Sequence, residues 1–475
     1  MKMTTERIAL LLLFLCSPSH CVADEVVDST DELVAAVREA AEGTSIKIAE
    51  GTYQLKAPLE LNAGVTLTGA GIGETIITHH PTWKPSASTL PDPEVRLQGL
   101  DSQAYLIRLQ DKAAGITISG MSLRGPQLHG AIFGFRNPGL HLHHLRIQDT
   151  LWAGIRTLGM SEAKIHDCEF IDAGGRWKRG GQPGVDGGIT GGAIFVTWMK
   201  DSEIAHNRFV RTRADKARSF YGIKGRQGRR SRIHHNTIEV NFSIEFPFEN
   251  DEDVEIDHNV CHGTISIPKY AGGAVPESGR TFHIHHNYLR SSYAIEFVRN
   301  GVEIDHNLFD FDVSNDGGNL ISAFGRAPAA GPALFHNNLI SNPGRGVIWI
   351  NEPYNNLVVR NNVIIARTTE TPRKEGLFGL NPKCDFRTIE IRDNIIECQG
   401  QARPLFRNDE SYSAVVRNNT LTNVSDTNRY DNPKTNAEAG LQEPLKFECG
   451  AHNEISVDGW NARRTTRQAD QRLSP

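Results

Sequence analysis

The sequence predicts an all-β protein wound as a right-handed parallel β-helix, with one amphipathic helix covering its N-terminal end. Three observations carry that expectation. First, an Ile-x-x-Asn-x-apolar hexad recurs along most of the chain. It reads IHDCEF at 165, IAHNRF at 204, IHHNTI at 233, IDHNVC at 256, IHHNYL at 284 and IDHNLF at 304, then LFHNNL at 334, VRNNVI at 359, IRDNII at 391 and VRNNTL at 416. Taking its asparagines as Asn207, Asn236, Asn259, Asn287, Asn307, Asn337, Asn361, Asn394 and Asn418 gives spacings of 20–33 residues, the period of a solenoid. Second, short alternating runs such as GAIFVTW at 192, SIEFPF at 243 and GVIWI at 346 precede the hexads and read as half-buried strands. Third, 44 glycines with only 7% aromatic residues suit a turn-rich β chain.

The elements follow in chain order. Lys2 and Arg7 flank the apolar run Ile8–Cys16, and Ala23 offers a cleavage site, so residues 1–23 read as a signal peptide for a secreted or periplasmic protein. No later run is long and apolar enough to cross a bilayer, so no stable membrane insertion is expected. Residues 24–44 hold the cap helix, with Ser29 and Glu32 as a capping box and Gly43 as its stop. Coils occupy 45–420, a C-terminal cap 421–460, and a polar, disordered tail 461–475. Stacked asparagines at equivalent bends can satisfy one another as an internal ladder. The net charge of −5 argues against a nucleic-acid partner. Five cysteines follow the leader, an odd number; Cys384 and Cys398 are near enough for a disulfide, and no C-x-x-C pair suggests a zinc or redox site.

Coils stack about 4.8 Å apart, so equivalent residues form columns. In the strand before each bend Ile155, Ile194, Ile223, Ile244 and Ile295 point inward. The next residues, Arg156, Phe195, Lys224, Glu245 and Glu296, point outward. Two positions further come Leu158, Thr197, Arg226, Pro247 and Val298, and Glu249, Arg299 and Arg326 flank the face. A coil between Glu245 and Glu296 holds Lys269 and Tyr270. Outward strand residues have no packing need for such charges, so this face is the candidate groove. In the stretch 219–240 five cations lie between Lys224 and Arg232, with QGRR read as a turn. An insertion at 173–192 carries Arg176, Trp177, Lys178 and Arg179, which suit a sugar ring and its uronate or sulfate groups. The histidines before the ladder, His144, His206, His235, His258, His286, His306 and His336, could line up as metal ligands. Their column continues as Arg360, Asp393 and Arg417, which marks a structural repeat position.

The hexads resemble those of the pectate-lyase-like superfold over roughly residues 45–420, and GTYQLKAPLELNAGVTLTGAGIGETII at 51–77 looks like the first coils of secreted β-helix enzymes acting on polysaccharides. YGIKG at 221 is similar to the catalytic coil of mannuronan epimerases, although Lys224-Gly225-Arg226 stands where those carry Asp-Pro-His. Chondroitinase-B-like lyases place a Lys on such a strand and an Arg one coil on, where this chain has EFPFE. The resemblance implies a groove on the same strand face and a substrate that is an anionic polysaccharide. For a lyase, Lys224 and Arg226 are the candidate base and carboxylate-neutralising group, with Tyr221 and Arg156 assisting. Ca²⁺ on Glu245, Glu249 and Glu296 is a further option. Glu245 and Glu296, two coils apart in one column, suit the acid–base pair of an inverting glycoside hydrolase instead. A non-catalytic carbohydrate-binding protein is the third alternative.

Overall fold

The computed structural model describes residues 25–83, 104–177, 189–212, 220–246, 251–267, 280–291, 293–297, 301–310, 319–323, 333–341, 346–350, 356–367, 376–380, 388–406, 414–425, 447–449 and 452–455. The leader region, Cys384 and the C-terminal tail lie outside them.

The chain is a parallel β-helix. Each strand of the main sheet pairs in parallel with strands of neighbouring coils, and three strand faces run along the solenoid. The first is marked by Ile155, Ile194, Ile223, Ile244, Ile265 and Ile295 in register. The second is marked by Ile204, Ile233, Ile256, Ile284 and Ile304. The third begins with Phe170, Phe209, Ile238, Cys261 and Leu289. These residues are almost wholly buried and form one continuous core. A solenoid stabilises itself in this way, each coil covering its neighbour's apolar face.

The cap helix spans Thr30–Glu39, shorter than the 29–43 stretch that suggested it, and buries Leu33, Ala36 and Val37. Ser29 Oγ accepts from Glu32 N at 3.3 Å, while the Glu32 carboxylate accepts from Asp28 N at 3.1 Å. The reciprocal bond thus reaches one residue further out than in a capping box closed on the N-cap itself.

Between the second and third faces runs the asparagine ladder. Its members are Asn207, Asn236, Asn259, Asn287, Asn307, Asn338, Asn362, Asn394 and Asn419. Asn337, Asn361 and Asn418, the first residues of three Asn-Asn pairs, are therefore not rungs. They take the preceding turn position at φ 53, 53 and 55°. In the interior each Nδ2 donates to the next Oδ1 at 2.9–3.1 Å and to a carbonyl of the previous coil, and at Asn236, Asn287 and Asn307 also to a carbonyl of its own coil. The next Oδ1 also accepts a backbone N–H, so each interior rung is satisfied without water. Cys168 starts the column, donating its N–H to Asn207 Oδ1 at 3.0 Å. It and Cys261 are buried, and burial pushes both thiols up to about 12.

The residue before each rung is left-handed: His206, His235, His258, His286 and His306 have φ of 51–57°. Histidine, like asparagine and aspartate, is enriched there. From His235 to His306 these rings stack in parallel at 4.9–5.1 Å. His336 is not in this column. It lies two residues before its rung, in the strand, as do Arg360 and Arg417, and the turn column continues through Asn337, Asn361, Asp393 and Asn418.

Candidate functional site

The outward column of the first face reads Arg156, Phe195, Lys224, Glu245, Ser266 and Glu296. The coil between the two glutamates is Thr264–Ser266; Lys269 and Tyr270 lie outside the described residues. The strand Tyr221–His234 is continuous, so QGRR is not a turn between elements. Left-handed kinks at Gln227 (φ 61°) and Arg230 (φ 43°) bend it instead.

The two cations of this column, Arg156 and Lys224, point outward from the strand but are enclosed rather than solvent-exposed. Arg156 is 1% exposed and Lys224 6%. Arg156 lies over the Phe195 ring at 4.1 Å and donates to Thr197 Oγ1 at 3.0 Å and the Phe195 carbonyl at 3.3 Å. It is thereby committed to the two coils it crosses. Lys224 Nζ is 2.7 Å from Glu245 Oε2 and 4.7 Å from the Tyr221 ring centroid. Burial lowers the Lys224 pKa; Glu245 opposes that shift, and Arg226 and Arg156 add to it. Burial also lowers the Arg226 pKa, against Glu245. The alternation of the strand correctly turns these residues away from the core, yet neighbouring rings and the Glu245 carboxylate enclose them. Gly225, between the two cations, faces the Phe246 ring so closely that a Cβ there would run into it.

An open cleft of about 580 Å³ lies one coil beyond Lys224. Glu245, Ser266 and Glu296 form its floor, with Tyr221, Phe242 and Tyr293 among its walls. Tyr221 and Phe242 stack at 4.6 Å. Ser266 Oγ donates to Glu296 Oε2 at 2.8 Å, and Thr264 Oγ1 donates to the Tyr293 carbonyl at 2.7 Å. His262 also lines the cleft, its pKa lowered chiefly by burial. The structure thus brings Tyr221, Glu245 and Glu296 together in one cleft with Lys224 packed behind it. Ser266, Tyr293 and His262 escaped the sequence reading. Ile265 could have revealed Ser266, since it is the apolar strand residue between Ile244 and Ile295.

The other candidates divide in two. The backbone of Arg176–Trp177 pairs antiparallel with Ile189–Thr190, forming the base of the 173–192 insertion. Lys178, Glu249 and Arg299 lie outside the described residues. For Ca²⁺, Glu245 is a poor donor, because the Lys224 ammonium already faces its Oε2.

No protein-family model matches the chain, and no curated protein matches it in sequence. Among solved structures, the N-terminal fragment of bacteriophage Phi29 gene product 12 matches at 11% identity and TM-score 0.54, covering 81% of this chain and 71% of that one. A mutant tailspike protein of E. coli bacteriophage HK620, in complex with a pentasaccharide, matches at 12% identity and TM-score 0.51, covering 86% and 77%. An alginate lyase from Paenibacillus sp. matches at 13% identity and TM-score 0.42, covering 69% and 99%. The first two likenesses show a shared fold. No helix among the described residues is long and apolar enough to cross a membrane.

Proposed function

We propose that this protein is a polysaccharide-active enzyme that hydrolyses a glycosidic bond in the cleft of the first face, with Glu245 and Glu296 as its acid–base pair. The observation that carries this reading is one cleft floored by two carboxylates of a single column, with aromatic rings beside them. Two coils separate their backbones by about 9.6 Å, twice the strand spacing. That lies near the upper end of the roughly 6.5–9.5 Å between the carboxyl groups of inverting enzymes. Phe242 and Tyr293 are candidate surfaces for sugar rings, with Tyr221 stacked on Phe242, and Ser266 fixes Glu296 by a hydrogen bond. The tailspike likeness, to a protein solved with a bound pentasaccharide, supports a sugar ligand.

In this mechanism Glu245, placed against Lys224, removes a proton from water. The water oxygen joins the anomeric carbon from the face opposite the leaving group, and Glu296 protonates the departing glycosidic oxygen. Lys224 positions its carboxylate partner. The leader-like N-terminus supports action outside the cytoplasm, secreted or periplasmic, and the Arg176–Trp177 hairpin is a candidate second contact to an anionic polysaccharide.

One observation favours a second reading, β-elimination on a uronate. The Lys224 amine has a lowered pKa and Arg226 and Arg156 as neighbours, the environment of a lysine base. Product chemistry on a panel of neutral and uronate-containing glycans separates the two. New reducing ends without ultraviolet-absorbing products support hydrolysis, and an absorbing unsaturated uronate supports elimination. Retention of a glycan without cleavage would reduce the protein to a binding module. Full activity of Glu296→Gln would overturn the hydrolase.

A further inference from the structure

We propose that Glu255, His283 and His285, on the second face, form a binding site for one divalent transition-metal ion of the zinc class. His283 and His285 are two residues apart on the strand Phe282–His285, so their rings leave the same side of the sheet. The ring centroids are 4.0 Å apart. Glu255 pairs in register with His283 from the preceding coil, and its Oε1 is 2.8 Å from His285 Nε2. One donor atom from each residue lies within 4.8 Å of the other two. A tetrahedral ion with bonds of about 2.1 Å sets its donors about 3.4 Å apart, a small side-chain adjustment from this geometry.

Two imidazoles and one carboxylate are a zinc donor set that leaves a fourth position open. The side chains of His283 and Glu255 are 20% and 39% exposed, so that position faces solvent. Asp305 Oδ1, on the following coil, is 2.6 Å from His283 Nε2, the kind of carboxylate contact that orients metal-binding imidazoles. Arg232, the nearest competitor for Glu255, is committed to Asp257 through bonds of 2.8 and 2.6 Å and approaches Glu255 only to 3.6 Å. Arg280, with Nη1 3.4 Å from His283 Nδ1, is also held by Asp253 at 3.3 Å. The repeat does not require these donors: on later coils the same columns hold Leu334 and Val358, or Arg360 and Arg392. His285 Nδ1 lies 2.8 Å from Nδ1 of the turn histidine His286, and the site is on a different face from the cleft.

The test uses the untagged full chain, stripped with a chelator and titrated with zinc chloride in a calorimeter. One equivalent should bind, and zinc should raise the thermal midpoint. His283→Gln and Glu255→Gln should each weaken binding at least about tenfold, since losing a ligand costs no less than losing its outer support. Circular dichroism checks that each variant keeps its fold, and the partly exposed Glu255 serves if His283→Gln misfolds. His206→Gln, in a separate cluster with His234 and His235, should leave the affinity unchanged. The proposal is overturned if no saturable zinc binding is seen, or if His206→Gln abolishes it while His283→Gln and Glu255→Gln do not.

Discussion

The asparagine ladder and the cleft column are built on the same stacked coils, yet they obey opposite rules. Along the ladder every coil from Asn207 to Asn419 presents the same residue, and each rung satisfies the next. Along the cleft column no two adjacent coils agree: Arg156, Phe195, Lys224, Glu245, Ser266 and Glu296 follow one another. Both columns contain buried polar groups. In the ladder identity itself supplies the partners, whereas in the cleft column each charge needs a different, complementary neighbour. This solenoid therefore concentrates its architecture in a column of repetition, and the proposed chemistry stands on a column that breaks it.

Substitutions can test that division, beginning where the largest effect is expected. Asn287→Ala removes both acceptor bonds to Asn259 and the donors to Ile256, His285 and Asn307. Several buried groups lose their partner at once, so urea unfolding should show a loss of about 4 kcal/mol, with the cleft chemistry disturbed only through the fold. On the cleft side, Glu296→Gln should lower turnover at least about a hundredfold with little change in the urea midpoint. Glu245→Gln should lose as much turnover and also about 3 kcal/mol of stability, because it removes the carboxylate facing buried Lys224. Equal stability of the two glutamine variants would break the comparison.

A third test concerns pH. The His143 ring is pushed down to about 4, first by burial and then by His141 and His166. In the unfolded chain it takes up a proton near its ordinary 6.5, so between 6.5 and 4 the unfolded state binds more protons than the fold. Stability should fall as pH drops through that window, and His143→Gln should flatten the fall in a series of urea midpoints. The smallest effect belongs to the turn column. His258→Asn should cost below about 1 kcal/mol, since the equivalent Asn337 and Asn361 share its left-handed backbone. His258→Val should cost about 1–2 kcal/mol more, the penalty of a side chain unsuited to that conformation.

The solenoid was legible because its repeat is strong, and the misreadings have physical reasons. In the three Asn-Asn pairs the first asparagine resembles a rung, since asparagine suits both the left-handed turn and the ladder. Counting three residues from the inward Phe335, Val359 and Val416 identifies Asn338, Asn362 and Asn419. The convergence of Tyr221, Glu245 and Glu296 on one cleft was legible because register alone brings them together. The burial of Lys224 and Arg156 was not, because alternation gives a side chain's direction and not what encloses it. Phe195, Tyr221 and Glu245 enclose Lys224 from different coils, and no local pattern reports that convergence.

The ladder begins at a cysteine, Cys168, whose backbone N–H donates to the first rung. A thiol held near 12 hardly reacts with an alkylating reagent, so Cys168 stays silent while the first bend is closed and reacts when it opens. Cys261 stands two residues past the Asn259 rung, deeper in the column, and is buried in the same way. With the remaining cysteines changed to serine, the two labelling rates would time the opening of the coil that starts the ladder and of a coil further along it separately. The protein thus carries its own gauge of opening, able to tell whether these two coils come apart one after the other or together.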